Sequence, residues 1–348
     1  MASFDALLLL SFGGPEGPDE VMPFLRNVTR GRGIPEERLE AVAEHYLRLG
    51  GISPINAQNR ALIRALQIEF AAHRLELPIY WGNRNWKPYV ADAVRAMRDN
   101  HVKRALVFAT SATSSFSGCR QYRNDMKQAR FVAGDGAPAL TKLRHYFDHP
   151  GFIAANVDHV RHALSSLPAA LRDEARLVFT AHSIPEAMNA SSGPSADGLY
   201  GKEQLETARL VSALVRGPDA PFDLVWQSRS GPPQVPWLEP DINDHLKSLA
   251  GRGIRAVVVC PTGFVSDHVE VIWDLDTEAR ATAAALGLAF ARSATAGTHP
   301  GFVAAVREIV QEQTDGAEPK TLGTLGLCGI GCPEGCCPSP RNLPAAAG

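Results

Sequence analysis

No apolar run in this chain is longer than a strand. Runs such as Ala6 to Leu10 and Ala256 to Cys260 fall far short of the roughly 18 residues that span a bilayer. A membrane-crossing helix is excluded, and stable membrane insertion is not expected. An excess of charge of one sign is missing too. The formal net charge is −2, so nothing global points to nucleic acid or to an acidic membrane surface. Met1-Ala2-Ser3-Phe4-Asp5 has no basic stretch and leads straight into a strand candidate. No secretory or transit signal is therefore expected, and the cytoplasm is the expected location. Nucleotide fingerprints are absent as well. Ser11 to Pro18 reads Ser-Phe-Gly-Gly-Pro-Glu-Gly-Pro rather than G-x-G-x-x-G, Pro15 and Pro18 disturb the helix start a pyrophosphate would need, and there is no Walker sequence. Cysteine is sparse until the end of the chain. Cys119 and Cys260 stand alone, whereas Cys328, Cys332, Cys336 and Cys337 crowd into ten residues. In a reducing cytoplasm such a cluster reads as metal-binding before it reads as disulfides.

What the chain does have is strand followed by helix, repeatedly. Strand candidates are Ala6–Ser11, Leu77–Gly82, Arg104–Ala109, Ala139–Leu143, Ala175–Ala181, Phe222–Gln227, Arg255–Cys260 and Leu288–Arg292. Amphipathic stretches between them include Glu36–Leu49, Pro54–His73, Val90–Arg98, Glu203–Val215 and Val269–Leu286. Buried strands alternating with helices predict parallel sheets covered on both faces. His149-Pro150-Gly151-Phe152 returns as His299-Pro300-Gly301-Phe302, each time after the fourth strand candidate of a half and at the start of a helix. The repeat predicts two doubly wound, Rossmann-like α/β domains, 1–165 and 166–316, followed by a Cys-rich tail, 317–348, whose last residues from Leu343 look disordered. Ligands of such sheets bind beyond the carboxyl ends of the strands, so residues after strand ends are the ones to read.

The fifth strand candidate ends in Thr180-Ala181-His182-Ser183-Ile184-Pro185, which places an imidazole at a cleft mouth. The seventh ends in Cys260 and leads to Ser266-Asp267-His268-Val269-Glu270, with Ser266 the expected N-cap of a helix. Glu270, Asp274 and Glu278 recur at i, i+4 and i+8, a spacing that stacks three carboxylates on one helical face. Like charges so spaced repel, and a helix designed for stability alone avoids the row. Its start beside His268, one fold-equivalent loop from His182, favours a site. An imidazole and a carboxylate facing one cleft suit a borderline divalent metal such as ferrous iron. The tail's thiols in a Gly/Pro setting suit zinc or an iron–sulfur centre.

Taken together, Leu10-Ser11-Phe12-Gly13-Gly14-Pro15, Gly50-Gly51-Ile52-Ser53-Pro54-Ile55, Ala181-His182-Ser183-Ile184-Pro185, Trp226-Gln227-Ser228, Pro236-Trp237-Leu238 and Ser266-Asp267-His268-Val269-Glu270 resemble the ferrochelatases along nearly the whole chain. The resemblance implies insertion of Fe2+ into a porphyrin, with His182 and Glu270 as the paired insertion residues. It places Phe12 where some bacterial relatives carry a tyrosine near the porphyrin metal; a phenyl ring cannot ligate. It places Arg30, Ser53 and Tyr122 at substrate contacts, with Arg32 and Tyr46 as further lining. His268, Asp274 and Glu278 are candidates for passing protons or metal along their helix. For the tail it favours a 2Fe-2S cluster over zinc. Four of Cys119, Cys328, Cys332, Cys336 and Cys337 would hold it, with Cys119 supplying the fourth ligand if one of the adjacent pair is spare. Cys260 reads as a buried core thiol.

The lip segment Arg26 to Glu37 is polar and basic, without an apolar face for a bilayer. Arginines near the mouth suit the four carboxylates of coproporphyrin III. The expected reaction is therefore Fe2+ insertion into coproporphyrin III in haem biosynthesis, by a monomer. Insertion into protoporphyrin IX, a cobalt or nickel chelatase of the same superfamily, and a non-catalytic tetrapyrrole carrier are the rivals. The carrier would need no paired His182 and Glu270.

Overall fold

A computed structural model describes residues 3–231 and 234–339; the chain end from Leu343, expected to be disordered, lies outside them. The first half runs β1 (Ala6–Ser11), α1 (Val21–Val28), α2 (Glu36–Arg48), α3 (Ile55–Ala72), β2 (Ile79–Asn83), α4 (Val90–Asp99), β3 (Arg104–Ala109), α5 (Gln121–Ala133), β4 (Ala139–Lys142) and α6 (Pro150–Ser166). The second half runs β5 (Arg176–His182), α7 (Glu186–Ala190), α8 (Leu199–Arg216), β6 (Phe222–Gln227), α9 (Ile242–Gly251), β7 (Ala256–Cys260), α10 (Val269–Val271), a π-helical stretch (Ile272–Ala279), α11 (Arg280–Ala285), β8 (Ala289–Arg292) and α12 (Pro300–Thr314).

Each half forms a four-stranded parallel sheet, in the orders β2-β1-β3-β4 and β6-β5-β7-β8. The identical order in both halves agrees with the repeat read in the sequence. The central strands are buried on both faces: every residue of β1 and of β7 is buried, which is why they read as unbroken apolar runs. In each half the winding reverses between the first and third strands. The crevice beyond the carboxyl ends of β1 and β3, and of β5 and β7, is thus where a ligand fits.

The halves are interlocked. α12, from the end of the second half, packs Phe302, Val306 and Ile309 into the core of the first sheet beside Leu7, Leu9 and Phe108. In return α6 sends Ile153, Val157 and Val160 into the core of the second sheet. The repeated His-Pro-Gly-Phe sequence is where these two helices meet. His149 and His299 cap their own helices, each accepting the N–H of the glycine two residues on at 3.1 Å. Gly151 lies so close to the partner helix that a Cβ there would fall 2.1 Å from the Gly301 carbonyl oxygen.

One helix departs from the sequence reading. The expected continuous helix 269–286 is split by the π-helical stretch, and its N-cap is His268 rather than Ser266. Ser266 is buried. Asp267 after it is tied down instead, with its N–H donated to Gln58 and its carboxylate paired to Arg292. These tertiary bonds hold the turn open two residues longer.

Candidate active site and cysteine centre

His182 ends β5 and Glu270 opens the helix after β7, and the two side chains meet across the crevice. His182 Nε2 stands 3.7 Å from Glu270 Oε2, with the side chains 36% and 47% exposed. They are open to the cleft, with protein around their remaining sides. His182 Nδ1 lies 2.5 Å from the Ser183 carbonyl oxygen. A carbonyl only accepts, so in the neutral ring the proton sits on Nδ1 and the Nε2 lone pair faces the cleft. Burial works against charge on His182, but the Glu270 carboxylate outweighs it and raises the imidazole above its ordinary value. Burial likewise works against charge on Glu270, and pairing with His182 overcomes it, leaving the carboxyl at about 2.

Asp274 lies one turn on. It accepts hydrogen bonds from Ser228 and from Gln227 at 3.2 Å, both at the end of β6. Burial, reinforced by the Glu270 charge, pushes it up to about 7. Glu278 follows Asp274 along the helix. It is exposed and accepts the indole N–H of Trp273 at 2.8 Å. The Glu278 charge acts on Asp274 with that of Glu270, and a π turn, wider than an α turn, keeps the i, i+4 and i+8 positions closer to one face. His268 is half-buried, edge-on to Phe264 at 5.3 Å, and burial lowers its pKa.

Over the pair stands the lip formed by α1 and α2. Val269 joins their core with Phe24, Leu25, Leu39 and Tyr46. Tyr46 is buried, and burial together with the Glu270 charge raises its phenol well above the ordinary value. Phe12, 38% exposed, touches Phe24 edge-on at 6.3 Å and lies beneath Arg84. Arg84 also covers the Tyr122 ring, 4.7 Å from its centroid, and pairs with Asp125 at 2.7 Å. Arg30 and Arg32 are exposed on the lip. Ser53 and Tyr122 are 3% and 4% exposed. Ser53 lies against Gly14, and Tyr122 lies beneath Arg84.

The cysteine-rich tail folds across both halves, beside α5 of the first and α8 of the second. It is held by bonds from Leu322 N–H to the Asp148 carbonyl (3.0 Å), from His145 N–H to the Cys328 carbonyl (2.8 Å) and from Arg120 to the Glu334 carbonyl. All five thiols singled out in the sequence gather here. Cys336 and Cys337 Sγ are 3.6 Å apart, brought to the same side by a left-handed backbone at Cys337 (φ 50°); adjacency does not separate them. Cys332 interacts with both Cys328 and Cys336, and Cys119 with Cys337 and Cys332. A hydrogen bond from Cys328 lowers the Cys332 thiol below its ordinary value. Such a set of soft donors fits an iron–sulfur cluster. Cys260 is fully buried in the second sheet, as a core thiol should be.

Sequence reasoning missed the groups beneath this centre. Ser114 Oγ contacts His145 Nδ1 at 3.0 Å, Glu203 Oε1 at 2.8 Å and Cys328 Sγ at 3.4 Å. The ligand atoms of His145, Glu203 and Cys328 all lie within 4.8 Å of one another, with the serine hydroxyl bonded to all three. The arrangement is therefore a hydrogen-bonded hub. The strand-end rule that led to His182 also pointed at Thr113-Ser114-Ser115, which follows β3, but nothing in the sequence paired those residues with Glu203.

Two parallel sheets with an open imidazole–carboxylate pair at the second crevice make this a protein of the chelatase fold. Solved structures agree at the level of fold. SirB from Bacillus subtilis with Fe3+ has a TM-score of 0.53 and 12% identity over 90% of this chain and 96% of that one. DR2241 from Deinococcus radiodurans, described as similar to chelatases with two additional domains, has a TM-score of 0.52 and 15% identity over 91% of this chain and 56% of that one. The chain belongs to the ferrochelatase family, whose model matches residues 4–314. It is 58% identical to the coproporphyrin III ferrochelatase of Nocardia farcinica, over 99% of both chains. It is 54% identical to the protein of that name from Streptomyces coelicolor, over 99% of this chain and 96% of the relative.

Proposed function

We propose that this chain inserts Fe2+ into coproporphyrin III to give iron coproporphyrin, in the cytoplasm and as a monomer. The observation that carries the reading is the His182–Glu270 pair, open to the cleft, with the Nε2 lone pair free in the neutral ring. Insertion must remove two pyrrole protons as the metal enters. Neutral His182 accepts a proton at Nε2 or holds the metal there, and Glu270, ionised at any working pH, takes the complementary task. Asp274, pushed up to about 7, is poised to accept a proton from the pair and return it to solvent. His268 flanks that path and Glu278 marks its outer end. The Phe12 ring and the α1–α2 lip exclude water from one face of the macrocycle, which favours a distorted bound porphyrin. Arg30 and Arg32 meet propionates at the rim.

The test is anaerobic incubation with Fe2+ and either porphyrin, followed by absorbance. Coproporphyrin should be metallated faster, and His182→Ala and Glu270→Gln should each nearly abolish the reaction in folded protein. Near wild-type turnover in either variant would refute the pair, and faster use of protoporphyrin would overturn the substrate. Replacing Arg30 and Arg32 with Ala should raise the KM for coproporphyrin more than it lowers kcat; an unchanged KM removes them from the pocket.

The tail is proposed to hold a 2Fe-2S cluster on four of Cys119, Cys328, Cys332, Cys336 and Cys337. Such a cluster supplies one-electron redox chemistry and a cross-link between tail and fold. Protein purified without oxygen should be brown, with about two irons per chain; stoichiometric zinc without colour refutes the cluster.

A further inference from the structure

The carbonyl oxygen of His182 accepts a hydrogen bond from the Tyr200 hydroxyl at 2.7 Å. Tyr200 is the second residue of α8, 6% exposed, and its ring packs on Trp226 with centroids 5.7 Å apart. The hydroxyl is therefore spent on the backbone of His182. Tyr200 is itself fixed from behind. Its backbone N–H donates to Ser192 Oγ at 2.8 Å. The next residue, Gly193, donates its N–H to Cys337 Sγ at 3.3 Å. Gly193 has φ +89°, which favours glycine, and a Cβ there would fall 2.7 Å from the Leu199 side chain. The turn is thus built for close packing between the tail and the start of α8. Further along the same helix, Glu203 accepts from Ser114, whose hydroxyl reaches Cys328. The start of α8 is held at two points by cysteines of the tail, and from it a hydroxyl holds the residue at the cleft.

We propose that Tyr200 is a positioning residue for His182, and that Cys337, seated on the Ser192–Gly193 turn, keeps Tyr200 in register, so that the state of the cysteine centre sets the rate of metal insertion. This rests on His182 being an insertion residue. The route is short: thiol to turn, turn to helix start, helix start to strand end. A change in Cys337 on gaining or losing a cluster acts directly on a buried turn with little room to yield.

The test uses the full chain purified anaerobically. Tyr200→Phe removes one hydroxyl and no ring contact. Its kcat should fall about tenfold, the order expected for losing one positioning hydrogen bond, with the KM for coproporphyrin changed less than about twofold. Cys337→Ala should also lower kcat, and the double variant should be no slower than the slower single one, because both act on one element. Hydrogen–deuterium exchange at residues 183–186 should be faster in both variants and in wild-type protein stripped of its cluster, a readout independent of turnover. Wild-type kcat and exchange in Tyr200→Phe would overturn the positioning role, and multiplying losses in the double variant would overturn the link to the tail. Should Tyr200→Phe not fold, Ser192→Ala removes the acceptor of the Tyr200 N–H together with a bond to the Asn189 carbonyl, and unchanged kcat and exchange there would likewise refute the proposal. If His182→Ala is inactive while Tyr200→Phe is normal, positioning alone has failed; an active His182→Ala overturns the reading of the site itself.

Discussion

A proton on His182 is stabilised at both ends, by the Ser183 carbonyl at Nδ1 and the Glu270 carboxylate at Nε2. The cost is that the ring must lose this proton before Nε2 can take one from a pyrrole or bind iron. The acidic limb of the insertion rate should therefore lie above the ordinary histidine value, with activity rising as pH increases through it. Titration of the His182 ring by NMR should show the same raised value in the wild type and a lower one in Glu270→Gln, where the partner charge is gone. An unshifted ring in the wild type would mean the pair does not interact in solution. Glu203 offers a second residue-scale test. Burial pushes it up to about 8 against the pull of two bonds from Ser114. The fold then keeps a proton that the unfolded chain releases from about pH 4.5 upward. That contribution to stability is complete below this range and is lost as pH rises toward 8. Glu203→Gln stays neutral and avoids the loss. The melting temperature of wild type relative to this variant should fall between about pH 5 and about pH 8, and parallel pH curves would show Glu203 ionised in the fold.

At the scale of elements, periodicity and strand-end loops carried most of the reading. All eight strand candidates are strands to within two residues; the central ones, such as β1 and β7, are buried on both faces and leave continuous apolar runs. His182 and Glu270 were legible because each follows such a run. The π-helical stretch was not. It arises where the Asp274 carboxylate is drawn to Ser228 and Gln227 on another strand end, and tertiary bonds of that kind leave no local period. The pairing of Ser114 with Glu203, 89 residues apart, is invisible for the same reason. The repeated His-Pro-Gly-Phe motif was legible as a helix start, but its second role, the crossing of α6 over α12, needed the fold. That crossing is unequal. A Cβ on Gly151 meets a backbone carbonyl at 2.1 Å, whereas one on Gly301 finds its nearest neighbours at 3.2 Å. Gly151→Ala should therefore destabilise the protein by about 2–3 kcal/mol, as overpacking against backbone does, and Gly301→Ala by clearly less. Equal denaturation midpoints for the two variants would contradict this geometry.

At the scale of the whole molecule, the exchange of α6 and α12 decides how the protein can fold. A cut near residue 165 looks natural, since it leaves four strands on each side. Yet the first sheet's core contains Phe302, Val306, Ile309 and Val310 from the far end of the chain, and the second sheet's core contains Ile153, Val157 and Val160 from the near side of the cut. Each half alone would expose a core face and carry a surplus apolar helix. Burial of such side chains contributes roughly 1.5–3 kcal/mol each, while a whole domain is stable by only about 5–15 kcal/mol. Neither half can spare its partner's helix. Expressed alone, a fragment ending at Ser166 should lack a cooperative thermal transition and should bind a hydrophobic dye. Mixed with the complementary fragment from Leu167 onward, it should regain cooperativity, because the missing helix is then supplied in trans. A sharp, reversible melt of the first fragment by itself would show that its sheet closes without α12, and would make the interlock a late addition to two independent domains.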